Sequence, residues 1–530
     1  MIQSSMAPLA MAVTPHHLAS ESAISVLRDR GNAIEAMVAA AATIAVVYPH
    51  MNGLGGDGFW LILPPNDDPI AIDACGAAGS LAHLDFYHSE NAIPYRGPKA
   101  ALTVAGTVSG WQEALALSDN KLGGVNLPLA RLLRDAIRYA TDGIPVTASQ
   151  AIATAAKHHE LAHQPGFSAT FLPEGELPRK GSCFIQPALA QTLRLLSQQG
   201  LESFYRGMLG KHMAREMSAL GMPLTLEDLQ QQRARCCIPL HVEHSEGDLW
   251  NMTPPTQGIV SLAILGITDH LAMMQANELE TVHRIVEATK KAFILRDRYI
   301  TDPRYMDCEA QSLLTQDYLI TMARQISDTK AASWESSGQG IGDTVWMGVM
   351  DNNGLAVSFI QSIYHEFGSG VVIPGTGITW QNRGTAFSLN PNHLLTLSPG
   401  KKPFHTLNPA VARLKDGRTL IYGSMGGDGQ PQTQAAIFIR YVMQGMPLQQ
   451  AVSAPRWLLG RTWGQSFDSL KLECRFSPDT VMKLRELGHQ VEMLPDFSEV
   501  VGHAGAIVRH NNGMLEGAYD PRSNGSASGF

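Results

Sequence analysis

Residues 33–47 read AIEAMVAAAATIAVV, a helical stretch that is apolar on every face. A helix without a polar stripe cannot rest on a surface and has to be buried all round. The chain therefore needs a large packed interior around this segment. Asn32 is placed to cap the helix and Pro49-His50 to stop it. Upstream, Ser20-Glu21-Ser22 can cap a helix running to Arg30, with Gly31 expected to end it in the left-handed conformation. Downstream, Gly53–Gly58 leads into the apolar run Phe59–Leu63, which reads as a buried strand. Helical patterns at Leu129–Ala140, Gln186–Gln199 and Val282–Tyr299 alternate with Pro/Gly turns, so the class is mixed α/β or α+β.

The texture changes at residues 331–343, AASWESSGQGIGD, whose Ser, Gly and Gln content predicts a flexible loop or linker. Beyond it Thr344–Met350 reads as a strand, Asp351–Gly354 as a hairpin turn and Leu355–Ser362 as a second strand. Glycine-rich Phe367–Gly377 follows. Short segments at Gly384–Ser388, Ala410–Leu414 and Thr419–Gly423 continue a strand-rich carboxyl third, and a helix is expected from about Gln432 to Gln444.

Composition narrows the function. Lys+Arg 40 against Asp+Glu 48 gives a net charge of −8 over 530 residues, with 44% hydrophobic content. That excludes a disordered chain and offers no basic surplus to phosphate backbones, so nucleic acid is not an expected partner. The six cysteines are scattered without a CxxC pair, as expected of free, mostly buried thiols in a reducing compartment. The amino terminus lacks the basic start and apolar run of a secretory signal. No window reaches the roughly 18 apolar residues of a membrane span. The expectation is a cytoplasmic protein without a membrane partner.

Several chemistries are missing from the residues. No GxSxG elbow, HExxH, Walker loop or DxDxDG loop occurs, and the 19 histidines show no metal-ligand spacing. His16-His17 and His158-His159 are expected at the surface. The glycine loop 53–58 precedes a strand instead of opening a helix, which favours tight packing over phosphate binding. No metal and no cofactor is expected. What remains is Thr344, where a glycine-rich loop meets a strand in Gly342-Asp343-Thr344. If the Asp343–Thr344 bond were cut, Thr344 would own a hydroxyl and a free α-amine. Such an amine has an unperturbed pKa of about 7.7–8.0 and can take the hydroxyl proton without a histidine. Gly-Asp-Thr is a common run, and the residues alone favour a plain turn entering a strand.

A set of stretches along the chain points further: Asn32–Phe59 with GLGGDGF, VAGTVSG at 104–110, Pro254–Gly258, His283–Pro303, Thr344–Val357, FGSGVVIPGTG at 367–377, Lys402–Pro409, Gly423–Gly427, APRW at 454–457, Phe476–Thr480 and DPRS at 520–523. In this order and spacing they resemble the γ-glutamyltranspeptidase family of self-cleaving N-terminal-nucleophile amidases. The resemblance implies an α+β fold, the αββα sandwich of N-terminal-nucleophile hydrolases, made as one chain. It implies cleavage between Asp343 and Thr344 into a large subunit 1–343 and a small subunit 344–530. The two remain associated as a heterodimer within one body, and further self-association is left open. Thr344 is then the nucleophile, Gly426-Gly427 the oxyanion hole, and Ser362 the hydroxyl residue that bonds the threonine.

The chain also departs from that family's pattern. An Asn of the γ-glutamyl pocket is here Tyr364, a Gln and an Asp become Arg383 and Ala386, and a serine pair becomes His405 and Thr406. The carboxylate-gripping Arg has no counterpart near Asp73–Ser80. An ammonium group facing Arg383 without its acid would be a buried unpaired charge, whereas Arg383 can fork onto a carboxylate. Arg383, Tyr364, His405 and Thr406 are therefore expected to bind a small amide that bears a carboxylate and lacks an amine. The run Gly426–Gln432, GGDGQPQ, resembles the family's oxamate amidohydrolase branch, of bacterial purine catabolism. Open alternatives are a γ-glutamyl hydrolase or transpeptidase, an acylase of glutaryl-type amides, and an uncut homologue with a binding role. For single residues they are a structural ion pair at Arg383, a satisfied buried imidazole at His405 and simple packing at Tyr364.

Overall fold

The strands obey a period of two that sorts their side chains into two different cores. Alternate residues of one strand, Val345, Met347 and Val349, pack with the helices, while Trp346 and Met350 face a second sheet. In the other sheet Leu420 and Tyr422 face helices and Ile421 faces inward. Each strand buried on both faces must lie in the middle of a layered body, and four layers result: helices, sheet, sheet, helices. The computed structural model describes residues 3–334, 342–460 and 468–530.

The strands of the two sheets are β1 (Ser5–Ala7), β2 (Met11–Thr14), β3 (Asp57–Leu63), β4 (Ile70–Ala74), β5 (Arg235–Cys237), β6 (Leu240–His244), β7 (Gly247–Asn251), β8 (Asp343–Met350), β9 (Ala356–Tyr364), β10 (Ala410–Leu414), β11 (Thr419–Ser424), β12 (Ala504–Arg509), β13 (Leu515–Tyr519) and β14 (Ser526–Gly529). One seven-stranded sheet runs β1-β13-β12-β11-β10-β7-β6 and the other β14-β2-β8-β9-β3-β4-β5. All their pairings are antiparallel. The Trp346 indole fills the space between the sheets. A Cβ at Gly423 would sit 2.1 Å from its Cδ1, and one at Gly505 would sit 2.5 Å from its Cζ3. Glycine at both positions is what lets a tryptophan lie flat there.

Helices α1 (His17–Arg28), α2 (Ala33–Val47) and α3 (Thr107–Lys121) cover one sheet. Helices α4 (Gly258–Thr268), α5 (Glu278–Tyr299) and α6 (Gly429–Phe438) cover the other. Every residue of α2 is buried, and Asn32 caps it in a reciprocal box with Glu35. The sequence reading of the apolar helix, of the β8–β9 hairpin and of the strand after the glycine loop therefore holds.

Other expectations are corrected. The first helix starts at His17 under a His16 cap, not at Ser20-Glu21-Ser22. It is Arg30, with φ 69°, that turns left-handed after it, while Gly31 is needed for space, since a Cβ there would lie 2.6 Å from Val26 Cγ1. Arg383–Ala386 is a 3-10 turn, so Gly384–Ser388 is not a strand. Helix α6 begins at Gly429 and passes into a π turn at Ile439–Met443. His16 is buried rather than at the surface. Of the six free cysteines Cys75 is buried, while Cys183, Cys236 and Cys474 are exposed. Most of the loop expected at 331–343 lies outside the described residues. Among the described residues no helix is long and apolar enough to cross a membrane.

Candidate active site

Thr344 is the second residue of β8, two before Trp346, and is 1% exposed. Its Oγ1 is buried without a hydrogen-bond partner among the described residues. Leaving a buried hydroxyl unbonded costs free energy. Across the ladder Asp343 pairs with Tyr364 and Val345 with Gln361, an irregularity that places Ser362 in the bulge beside Thr344. Ser362 Oγ accepts the Tyr364 N–H at 2.7 Å. The expected bond between Ser362 and the Thr344 hydroxyl is thus not formed in the uncut chain. Tyr364 takes φ 82°, a left-handed conformation unusual for an aromatic residue. Its ring lies over Gly342, where a Cβ would come within 2.8 Å of Cδ2 and Cε2.

Arg383 stacks over that ring, its Cζ 3.6 Å from the Tyr364 centroid. It is 1% exposed, and its two terminal nitrogens reach only the Thr406 hydroxyl, each at 3.4 Å, while Nε has no partner. No carboxylate lies within ion-pair distance among the described residues, which removes the structural ion pair as an account of Arg383. Burial pulls the guanidinium down to about 10, with Tyr364 and Asp57 opposing. His405 is fully buried and its Nε2 lies 3.0 Å from Asp57 Oδ2. On that side it is a satisfied imidazole, but its Nδ1 is unpartnered. Asp57 Oδ1 also takes the N–H groups of Gly76 and Gly106, each at 3.0 Å. Burial nevertheless raises its carboxyl to about 7, against those amides and Arg383.

Gly426 and Gly427 follow β11 with φ 115° and 53°, values open to glycine. Their carbonyls are bound, Gly426 O by Gly429 N at 2.8 Å and Gly427 O by Gln257 Nε2 at 2.8 Å, so the peptide planes of the loop are fixed. Neither glycine N–H donates to a protein acceptor among the described residues. Two free amides on a rigid turn can receive a developing oxyanion. Behind them Asp428 Oδ1 accepts from Arg296 Nη1 at 2.9 Å.

The glycine loop 53–58 serves packing: Cβ atoms at Gly55 and Gly56 would meet the carbonyl oxygens of Thr379 and Ser362 at 2.2 and 2.1 Å. It presses directly on the backbone of Ser362. Asp57, Gln257, Arg296 and Asp428 were not singled out from the sequence. For the two aspartates a signal existed, an acid between glycines at a strand start (GGDGF) and at a helix start (GGDGQ). Two buried clusters gather metal-type donors, Asp57-Cys75-His405 and His283-Glu287-His489. Both are tied by their own contacts. Asp57 holds His405 with Arg383 nearby, and Glu287 holds Lys290 at 2.6 Å and the Ala332 N–H at 3.0 Å.

Comparison with known proteins places the chain in a family. The family profile described as gamma-glutamyltranspeptidase matches residues 19–530. The chain is 68% identical to an oxamate amidohydrolase proenzyme of Klebsiella pneumoniae subsp. pneumoniae, over 100% of both chains. It is 39% identical to a glutathione hydrolase-like proenzyme of Bacillus subtilis, over 98% of each. Among solved structures it resembles cephalosporin acylase from Bacillus halodurans with a TM-score of 0.91 and 31% identity, over 100% of this chain and 97% of the other.

Proposed function

Since the chain belongs to the gamma-glutamyltranspeptidase family, we propose that it is a self-processing amidohydrolase whose nucleophile is Thr344 and whose substrate is a small carboxylate-bearing amide, oxamate. The observation that carries the substrate class is Arg383, a buried guanidinium with no acid within ion-pair distance among the described residues, the nearby Asp57 being engaged with His405 and two backbone amides. A carboxylate there gains a bidentate, charge-assisted partner in a dry site, while an ammonium group meets repulsion. Tyr364 and Thr406 orient the fork, and His405 lies beneath it on Asp57. The 68% identity to an oxamate amidohydrolase proenzyme supports oxamate in particular. With that substrate goes a cytoplasmic place in bacterial purine breakdown.

Maturation and turnover use the same atoms. Thr344 Oγ attacks the Asp343 carbonyl carbon, the C–N bond breaks as the nitrogen takes up the hydroxyl proton, and water hydrolyses the resulting ester. The freed α-amine then accepts the Thr344 hydroxyl proton as Oγ adds to the substrate amide carbon. The N–H groups of Gly426 and Gly427 hold the oxyanion, and loss of one such donor typically costs about 2.7–4 kcal/mol of barrier. The protonated amine gives its proton to departing ammonia, and water releases oxalate from the threonine ester.

The two pieces, 1–343 and 344–530, stay together because their strands interleave. In one sheet the cut end, β8, remains bonded to β2 of the large piece, and β9 to β3. In the other, β13 pairs with β1 and β10 with β7. Separating them would tear both sheets. The test is ammonia release from oxamate by the cleaved protein, run beside γ-glutamyl-p-nitroanilide. Ammonia without nitroaniline is expected. Nitroaniline without ammonia would transfer the site to γ-glutamyl substrates.

A further inference from the structure

The carboxylate anchor and the oxyanion glycines come from different segments, 405–406 and 426–427, and one buried side chain spans them. Gln257, 0% exposed, precedes α4. Its Nε2 donates to Thr406 O at 3.0 Å and to Gly427 O at 2.8 Å, so both amide hydrogens are used. Its Oε1 accepts from Arg296 Nη1 at 3.2 Å, and the same Nη1 binds Asp428 at 2.9 Å. Its own N–H donates to His405 O at 2.9 Å. A second row of amides backs the first. Asn408 Nδ2 donates to Thr406 O at 2.8 Å and to Gln430 Oε1 at 3.2 Å, and Gln434 Oε1 receives Ser261 and Asn251 at 2.6 and 3.2 Å. In the second row Asn408 Oδ1 and Gln430 Nε2 have no partner among the described residues, whereas every polar group of the Gln257 side chain is bonded, so Gln257 itself is held in a single geometry.

We propose that Gln257 is a positioning residue that sets the distance between the carboxylate held at Arg383–Thr406 and the carbonyl held at Gly426–Gly427, and so restricts the enzyme to the shortest amide acids. The inference rests on the function proposed above. In oxamate the carboxylate and amide carbons are directly joined, roughly 1.5 Å apart. Each added methylene moves the carbonyl by about another ångström, and a misplacement of that size costs about 10²-fold in rate. Gln257→Met keeps the length of the side chain and removes both donors, so the two segments lose their common tie.

The experiment compares oxamate with malonamate on self-cleaved wild type and Gln257→Met, with oxalate as competitive inhibitor. Expected are a fall in kcat on oxamate of about 10²-fold, a malonamate-to-oxamate ratio of kcat/KM at least about tenfold higher, and an inhibition constant for oxalate within about threefold of wild type, because the anchor itself remains. An unchanged ratio with normal kcat overturns the proposal. So does a parallel loss in catalysis and oxalate binding, which is the mark of a packing role. Should the Met variant not yield folded, cleaved protein, the same ratio is read on Gln257→Asn, one methylene too short to span both carbonyls. Wild type that releases no ammonia from oxamate removes the substrate assignment instead, and the ratio is then read with the amide acid it does turn over.

Discussion

Replacing Arg383 by Met should separate the two things a buried charge can do. Most buried arginines are tied to an acid, and removing one strands its partner at a cost of several kcal/mol. Arg383 has no such partner, only the Thr406 hydroxyl at 3.4 Å and the Tyr364 ring at 3.6 Å. Burial lowers its pKa from 12.5 to about 10. At about 1.4 kcal/mol per unit, keeping the charge buried costs the fold on the order of 3 kcal/mol. Met retains the apolar stem and gives up the cation–π stack, itself worth about 0.5–2 kcal/mol. The free variant should therefore melt at or slightly above the wild-type temperature, where an ordinary core substitution lowers it. Catalysis moves the other way. A buried charge pair truncated on one side typically loses about 2–5 kcal/mol, so kcat/KM on oxamate should fall by roughly 30- to 5,000-fold. Calorimetry with and without oxalate, together with ammonia release, reads both. Oxalate should raise the melting temperature of the wild type and leave the variant unmoved. A variant that melts several degrees lower while keeping its KM would show that Arg383 is structural and that the carboxylate binds elsewhere.

Thr344→Ala should block both scission and turnover, leaving a single band near the full 57.3 kDa on a denaturing gel where wild type gives two fragments. Two fragments from the mutant would place the cut at another residue. Asp57→Asn should change how stability depends on pH. Asp57 goes from 3.8 unfolded to about 7 folded, so its contribution is fully present below about 3.8 and is lost as pH rises through about 7. The asparagine variant lacks this loss and should gain on wild type between about pH 4 and 7 in urea unfolding, with a slope of at most about 1.4 kcal/mol per pH unit, and the difference should be constant above that. A difference that stays flat over that range would mean that Asp57 ionises as freely in the fold as out of it.

The elements that could be read from the sequence were those in which one local rule decides. The all-apolar helix with Asn32 ahead of it had no alternative to burial, and β8 and β9 announced themselves by a hairpin turn between strand-like runs. Gly31 misled because the helix ended earlier than its capping pattern suggested, and the left-handed residue became Arg30, leaving the glycine to make room for Val26. The catalytic candidates were reached through resemblance, since Gly-Asp-Thr alone does not distinguish a turn from a nucleophile. Gln257 lay within the matching stretch Pro254–Gly258, but nothing there marked it as a bridge between distant segments. Its meaning lies in two backbone carbonyls, of Thr406 and Gly427, that are 149 and 170 residues away along the chain. Contacts made by side-chain amides to distant main-chain atoms leave no periodicity and no charge pattern to read. The same holds for Thr406, an ordinary residue until Arg383 reaches it across the fold.

The placement of Thr344 explains why cutting the chain need not loosen it. The residue sits at the first turn of a strand that is hydrogen-bonded further along, Gly348 to Val13 on one side and Ser358 on the other. On the proposed mechanism, scission before Thr344 would release only the peptide that enters the strand. The ladder that fixes the threonine's backbone would remain, so the new amine would be delivered to a hydroxyl whose position was set before the bond broke. That hydroxyl has no partner among the described residues, and the proposed cut would supply one. The Gly426-Gly427 loop is likewise complete beforehand, held by Gly429 and Gln257 rather than by anything that maturation supplies. Self-cleavage at the proposed position would thus add one proton acceptor to a site that folding has already assembled, with the strand pairing of β8 holding Thr344 in place.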